Sequence, residues 1–133
     1  MNTTRLKPWL SGQHMRHVIA CLILATALAA PAAAQTVREG TYNVYGTNPD
    51  GSSYSGEATI TLASETTCII EWVTGDTTSE GICMLFDDTF AASYILGDDI
   101  GLVVYRVKGD SVLEGVWTVT GHDGAGTEML SLR

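Results

Sequence analysis

The sequence predicts an all-β domain, an antiparallel up-and-down meander of about eight strands that closes into a small barrel. Beyond residue 39 no stretch has helical periodicity, whereas apolar and polar residues alternate repeatedly. The alternating runs are short and are separated by turn-forming residues at hairpin-sized spacing. Each run has one apolar face, which suits a barrel whose strands share one core, and closure removes free sheet edges. A β-sandwich is the alternative fold.

The predicted strands follow one another with short connections. In the second of them, the residues at even positions from Tyr54 to Leu62 share the apolar face and the residues between them are polar, as in a strand with one buried face. The segment Asn48-Pro49-Asp50-Gly51 before it has the composition of a turn, because Pro sets φ while Asp and Gly favour chain reversal. In order, the strands are expected at 40–47, 54–62, 67–74, 77–86, 89–96, 100–108, 111–120 and 126–132.

Two cysteines, Cys68 and Cys83, lie in the third and fourth predicted strands. A two-residue hairpin turn at Gly75-Asp76 pairs positions whose numbers sum to 151, as 68 and 83 do. The cysteines would then face each other within disulfide range. In an oxidising compartment we expect them to form a disulfide, with a reduced, buried pair as the alternative.

The N-terminal residues 1–34 are interpreted as a secretory signal peptide. Arg16 precedes an apolar run from Val18 to Ala30, and the small residues up to Ala34 form an Ala-x-Ala cleavage site. Met15 would itself open a complete signal peptide, so residues 1–14 read as an extension from an upstream start codon. The run is too short to span a bilayer, so no membrane anchor is expected after cleavage. We therefore expect a single domain at 35–133 and an extracytoplasmic location, periplasmic or secreted.

The charge of the expected mature domain excludes one class of partner. Three of the seven Lys and Arg residues precede residue 35, so four basic residues face fifteen Asp and Glu residues, a net charge of −11. Such a surface repels phosphate backbones, and nucleic-acid binding is therefore not expected. The acidity itself is consistent with solubility outside the cytoplasm.

Three stretches give the mature chain a family resemblance. The segments 40–51, 54–56 and 112–121 resemble small, largely uncharacterised secreted proteins of proteobacteria, some of them labelled fibronectin-binding-like. The pattern is also loosely similar to calycins, the lipocalin and avidin barrels, where Gly-x-aromatic opens the first strand. Position 42 departs from the lipocalin pattern, since Tyr42 stands in place of Trp, and no avidin biotin-contact set is matched. The resemblance implies a calycin-like barrel and no particular activity.

Five aromatic residues are expected on the inward face: Tyr42, Tyr54, Trp72, Tyr94 and Trp117. An eight-stranded barrel is about wide enough either to be filled by side chains or to hold one small ligand. The rings are therefore candidate ligand contacts in an apolar pocket with a few orienting hydroxyls. Because the strands are short, we expect the rings mainly to fill the core.

No residue pattern predicts catalysis, a metal or a cofactor. His122 lies in a Gly-rich turn, and its neighbour Asp123 does not supply the Ser-His-Asp arrangement of a hydrolase. Asn48, Asp50 and Ser52 alternate as in a calcium loop, but the distal Glu of that pattern is missing. We therefore expect a protein that is not an enzyme.

Two functions remain as hypotheses. The first is an interaction protein that engages a protein or envelope partner through its outer surface or loop tips. The alternative is a binding module that holds a small apolar or aromatic ligand inside the barrel. An interior cavity of a few hundred Å³ lined by Trp72 and Trp117 would favour the alternative. A filled interior with an exposed apolar patch would favour the first.

Overall fold

The computed structural model describes residues 36–133. The predicted signal peptide and the proposed start at Met15 lie outside the described residues. Eight strands follow in order: β1 (Gly40–Thr47), β2 (Ser53–Leu62), β3 (Thr67–Thr74), β4 (Thr77–Phe86), β5 (Thr89–Leu96), β6 (Asp99–Lys108), β7 (Val112–Val119) and β8 (Gly126–Leu132). All eight predicted strands are confirmed, with no end displaced by more than one residue.

The strands close into a barrel, as predicted, and the sandwich alternative is not adopted. Every strand pairs antiparallel with the next one along the chain, and β8 pairs with β1 to complete the ring. Closure leaves none of these strands with an unpaired edge. Because consecutive strands alternate direction, the connections β1–β2, β3–β4, β5–β6 and β7–β8 gather at one end of the barrel. The other connections gather at the opposite end.

The β3–β4 hairpin has the register expected from its turn. Gly75 adopts a φ of 60°, and Cys68 lies opposite Cys83, with Trp72 opposite Ser79. The two cysteines form the predicted disulfide across a Cα–Cα distance of 4.9 Å. A two-residue turn permits one pairing of the strands that leave it, so local chemistry fixes this part of the fold.

The segment from Asn48 to Ser52 is a turn, as interpreted from its composition. The Gly51 amide donates to the Asn48 carbonyl over 2.9 Å. The Asp50 carboxylate accepts from the Ser52 amide over 2.9 Å and from the Ser52 hydroxyl over 2.6 Å. These bonds satisfy the loop internally and hold it as the link between β1 and β2.

One end of the barrel interior, here called the packed half, is filled by side chains. The Tyr42 hydroxyl donates to the Arg38 carbonyl over 2.6 Å, which lets this ring be buried without an unsatisfied polar atom. The disulfide also lies in the packed half, where both cysteines are buried. The half consists of Tyr42, Ile60, Cys68, Ile70, Cys83, Phe90, Val107, Leu113 and Leu130.

Most of the exposed large apolar side chains of the barrel lie on β3 to β6. On β1 and β2, the outward positions include Asn43, Glu57 and Thr59. On β3 to β6 a group of exposed apolar side chains, here called the apolar outer face, replaces them. It consists of Ile69, Val73, Ile82, Met84, Phe86, Ile95, Ile100, Leu102 and Val104. Ile69 pairs with Ile82 and Ile95 with Ile100, whereas between β4 and β5 Ile82 stands opposite Ser93 and Ile95 opposite Glu80. Residues 36–133 include no helix of the length and hydropathy needed to cross a membrane.

Candidate ligand-binding cavity

The other end of the interior, here called the open half, contains a cavity of about 300 Å³. Aromatic rings make up much of its wall, and hydroxyl and aliphatic groups complete it. A single charged side chain, Glu128, takes part. The lining residues are Asn48, Tyr54, Trp72, Thr74, Thr77, Ser79, Tyr94, Leu96, Val103, Trp117, Val119 and Glu128.

The cavity exists because the inward rings lie flat against the barrel wall. Opposite each of four rings stands a glycine, and a Cβ on that glycine would come within 2.5 Å of ring atoms. The rings therefore occupy the space that a side chain would take on the neighbouring strand, and they leave the barrel axis open. The cross-strand pairs are Tyr54 with Gly46, Tyr94 with Gly101, Tyr105 with Gly115 and Trp117 with Gly126.

The four aromatic rings that line the cavity associate in two pairs. Tyr54 and Trp117 pack edge to face, with centroids 6.1 Å apart and planes at 74°. Trp72 and Tyr94 lie 5.3 Å apart with planes tilted by 56°. Offset and edge-to-face contacts of this kind are favourable because the positive edge of one ring meets the negative face of another. Each pair thus holds its rings in a fixed orientation around the cavity.

Glu128 is 8% exposed and is held by three donors from three other strands. Tyr54 donates its hydroxyl to Oε2 over 2.8 Å. Trp72 donates Nε1–H to Oε1 over 3.1 Å, and the Tyr105 hydroxyl also donates to Oε1. An ionised carboxylate has no proton to donate and accepts up to four hydrogen bonds, so three donors match the charged form.

Burial raises the pKa of the Glu128 carboxyl above its ordinary value of 4.5, while the bonds from Tyr105, Tyr54 and Trp72 lower it. The same burial, together with the neighbouring carboxylate, raises the pKa of Tyr94 to about 12. Burial and Glu128 also raise the pKa values of Tyr54 and Tyr105, so all three hydroxyls keep their protons at neutral pH. Glu128 is the one carboxylic acid among the residues that line the cavity.

One buried donor of the site is free. Among the described residues, the indole Nε1 of Trp117 has no hydrogen-bond partner. Buried donors are almost always paired with protein or water, and an unpaired one loses the full benefit of solvation. The Trp117 ring lines the cavity, but its Nε1 lies against Gly126 of the neighbouring strand, 2.5 Å from the place where a Cβ would stand.

Loops surround the entrance to the cavity. The four connections at this end, here called the mouth loops, are 48–52, 75–76, 97–98 and 120–125. The β1–β2 and β7–β8 loops, with Pro49, Asp50, His122 and Asp123, border an outer depression of about 540 Å³ that shares Asn48, Leu96, Trp117 and Val119 with the cavity. The β1–β2 turn is thus part of the entrance.

Charge is distributed unevenly between the two ends of the barrel. The mouth loops carry Asp50, Asp76, Asp98 and Asp123, and neither Lys nor Arg. All four Lys and Arg residues of the described chain lie toward the packed half. Arg38 precedes β1, Arg106 and Lys108 end β6, and Arg133 follows β8.

The five aromatic residues singled out by sequence do not all meet. Tyr54, Trp72, Tyr94 and Trp117 surround the cavity, whereas Tyr42 lies in the packed half. The interior thus differs from the expected filled core, because rings that lie over glycines line space instead of occupying it. Two further residues, Glu128 and Tyr105, complete the site. Alternation pointed to Glu128, since Gly126, Leu130 and Leu132 share its face in β8.

The described residues contain no group of three His, Cys, Asp or Glu side chains arranged to hold a metal ion. Tyr94 donates only a long bond, 3.4 Å, to the Thr118 carbonyl, and Ser79 and Thr77 add hydroxyls to the wall. The arrangement offers a molecule in the cavity one buried carboxylate, several hydroxyls and four aromatic surfaces.

No protein-family model matches the chain, and no curated protein matches it. Solved structures similar to it are small β-barrels. A redesigned beta barrel, b11L5F_LGL, has a TM-score of 0.63 and 19% identity, with coverage of 71% of this chain and 90% of that one. EF1p2_mFAP2b bound to DFHBI has a TM-score of 0.61, 16% identity and coverage of 71% and 93%. The redesigned barrel mFAP1 bound to DFHBI has a TM-score of 0.60, 23% identity and coverage of 70% and 93%. At these identities the likeness shows the fold alone.

Proposed function

We propose that this protein is a non-catalytic binding protein that holds one small molecule in the open half of its barrel. The observation that carries the proposal is the cavity of about 300 Å³, walled by paired aromatic rings around one hydrogen-bonded carboxylate. Ligand sites in proteins are mostly apolar spaces of this order with a few fixed polar groups. The cavity lies at the lower end of that size range, which favours a small ligand.

The binding energy would come from apolar burial, and the polar groups would orient the ligand. Four rings offer apolar surface worth about 25 cal/mol for each Å² that a ligand covers. The rings are already fixed by their glycine partners and by the bonds to Glu128, so little side-chain freedom is lost on binding.

Solved barrels of the same architecture support the proposal. EF1p2_mFAP2b and mFAP1, which share the fold of this chain, are each bound to DFHBI. Barrels of this length can therefore hold a small molecule. The identity of that molecule says nothing about the ligand here, because likeness at 16% and 23% identity shows the fold alone.

The absence of catalysis is part of the proposal. The Glu128 carboxylate accepts three hydrogen bonds from the protein, and bonds of this kind make it a weaker base. The cavity-lining residues of the described chain include no histidine, cysteine or lysine. Serine and threonine hydroxyls without an adjacent base are poor nucleophiles.

An extracytoplasmic location is proposed with this function. The Cys68–Cys83 disulfide favours an oxidising compartment, where such bonds persist. The predicted signal peptide at 1–34 is the second reason. A binding protein outside the cytoplasm would take its ligand from the periplasm or the surroundings.

The proposal is tested by filling the cavity. Ser79 lines it and faces Trp72, so Ser79→Phe should occupy the space and prevent binding. Thr78→Phe, one residue earlier on the outward face of β4, is the matched control and should leave binding unchanged. Native mass spectrometry of each protein, purified from its own host, measures a co-purifying small mass. A mass retained by Ser79→Phe, or a wild-type protein that is always empty, would contradict the proposal.

A second candidate function rests on the apolar outer face. Nine large apolar side chains exposed on neighbouring strands are typical of a surface that contacts another protein. This is the predicted surface interaction, and it is compatible with an occupied cavity. The simplest partner to test is a second copy of the chain. Sedimentation velocity over a range of concentrations should show association that Ile82→Lys abolishes, and a strictly monomeric wild type would count against self-association.

A further inference from the structure

We infer that the ligand of the open half is a small organic cation, an ammonium group on an aryl or alkyl body. The inference rests on the proposed function and names the class of molecule that the cavity would take. A cavity of about 300 Å³ lies at the lower end of the size range of ligand sites, so the ligand is small.

The first reason is the uncompensated charge of Glu128. The carboxylate is buried and all three groups that contact it are neutral donors. The two salt bridges of the described chain, Lys108–Glu114 and Arg133–Glu57, lie elsewhere. Buried charges in proteins are normally paired with an opposite charge. A cation in the cavity beside Glu128 would supply the missing partner.

The second reason is the aromatic wall. Tyr54, Trp72, Tyr94 and Trp117 all line the same space as the carboxylate. The face of an aromatic ring is negative and attracts ammonium groups, most strongly when both are shielded from water. Cages of such rings hold quaternary and methylated ammonium ions in other proteins. A neutral ligand would gain the apolar contact with these rings but not the attraction between a cation and the ring faces.

The third reason is the charge of the entrance. The four mouth loops carry aspartates and no Lys or Arg, and all Lys and Arg residues of the described chain lie toward the other end. A charged cleft of one sign attracts molecules of the opposite sign and raises their rate of entry. The negative field at the mouth and the buried carboxylate therefore both favour a cation.

A metal ion is a poorer match than an organic cation. Calcium takes six to eight oxygen ligands, and magnesium needs six in octahedral order. One carboxylate whose oxygens already accept three protein hydrogen bonds cannot provide such a shell. Aromatic rings provide no oxygen ligands to replace the water that a hydrated metal ion would lose, whereas they make apolar contact with the carbon atoms of an organic ammonium.

The test compares three probes of equal size and different charge. Phenyltrimethylammonium, tert-butylbenzene and benzenesulfonate each have ten non-hydrogen atoms and one phenyl ring, and they are cationic, neutral and anionic. Ligand-observed NMR with the unaltered protein gives a dissociation constant for each. We expect the cation to bind at least tenfold more tightly than the neutral probe, and the anion to show no binding.

A matched pair of variants locates the effect. Glu128→Gln removes the buried charge but keeps the shape, and should weaken the cation at least tenfold while leaving the neutral probe unchanged. Glu71→Gln removes one exposed charge from the outward face of β3 and should change neither. Near-ultraviolet circular dichroism shows whether each variant is folded. The three-probe comparison needs no variant, so it decides the point even if Glu128→Gln unfolds.

The outcomes separate the inference from the function on which it rests. Equal binding of the cation and the neutral probe, or binding of the anion, would overturn the cationic ligand and leave the binding cavity intact. If Ser79→Phe binds all three probes as tightly as the wild type does, their binding site lies outside the cavity and the inference is overturned. Failure of all three to bind would count against the proposed function itself.

Discussion

The two halves of this barrel follow the same alternation rule and reach opposite results. In the packed half, Phe90, Leu113 and Leu130 project toward the axis and leave no space. In the open half, Tyr54, Tyr94 and Trp117 lie over glycines of a neighbouring strand, Trp72 faces Ser79, and a cavity remains. The difference teaches that a small residue opposite a ring leaves room only near the mouth, because Tyr105, which also faces a glycine, is fully buried beside Phe90. The candidate site belongs to the second half.

The largest effect is expected from opening a hole in the packed half. Phe90→Ala removes a fully buried ring that packs on Tyr105, with centroids 5.7 Å apart, and should cost about 3–5 kcal/mol of unfolding free energy. Phe86→Ala, four residues earlier on the same hairpin, removes a ring that is 75% exposed and should change stability by less than about 0.5 kcal/mol. Urea unfolding at constant pH measures both. Similar losses in the two variants would break the distinction between interior and outer face.

A somewhat smaller loss is expected from cutting the disulfide of the packed half. Cys68→Ser frees a loop with a sequence separation of 15, and the constraint on the unfolded chain is worth about 3 kcal/mol for such a loop. The thermal midpoint should fall, and reductant should lower the wild-type midpoint by a similar amount while leaving the variant unchanged. Equal midpoints of the wild type with and without reductant would contradict a stabilising bond.

The smallest effect, and the one that belongs to the open half, is the pH dependence from Glu128. Its pKa is higher in the folded protein than the ordinary 4.5, so the folded state holds this proton to higher pH than the unfolded chain. Its contribution to stability is therefore greatest below pH 4.5 and declines as pH rises through the folded pKa. The unfolding free energy of the wild type minus that of Glu128→Gln should fall across this window.

The comparison with Glu128→Gln cancels the other titrating groups. Tyr54, Tyr94 and Tyr105 face the carboxylate and stay protonated, and His122 and Asp123 at the mouth are common to both proteins. A flat difference would mean that the carboxyl titrates equally in both states. A difference that rises with pH would mean that the three hydrogen bonds outweigh burial.

The limits of sequence reading are clear from particular residues in the site. Alternation alone assigns four of the cavity rings to the interior: Tyr54, Trp72, Tyr94 and Trp117. It assigns Tyr42 to the interior as well, because alternation reports the face of a strand and not the depth along the barrel. Glu128 had the parity of an inward residue, but nothing local showed that donors from β2, β3 and β6 would meet it. The role of the β1–β2 turn as part of the entrance likewise depends on which loops share an end.

The sequence by itself determined the strands, their turns and the disulfide register. Period-two alternation, two-residue turns and opposed cysteines act between residues close in the chain or across a single hairpin, so they can be read without the fold. The tertiary structure alone decided that the interior is half filled and half open, and that a charged carboxylate is enclosed with four rings. Those outcomes depend on the interior volume and on side-chain contacts among strands far apart in the chain, and no local sequence pattern determines them.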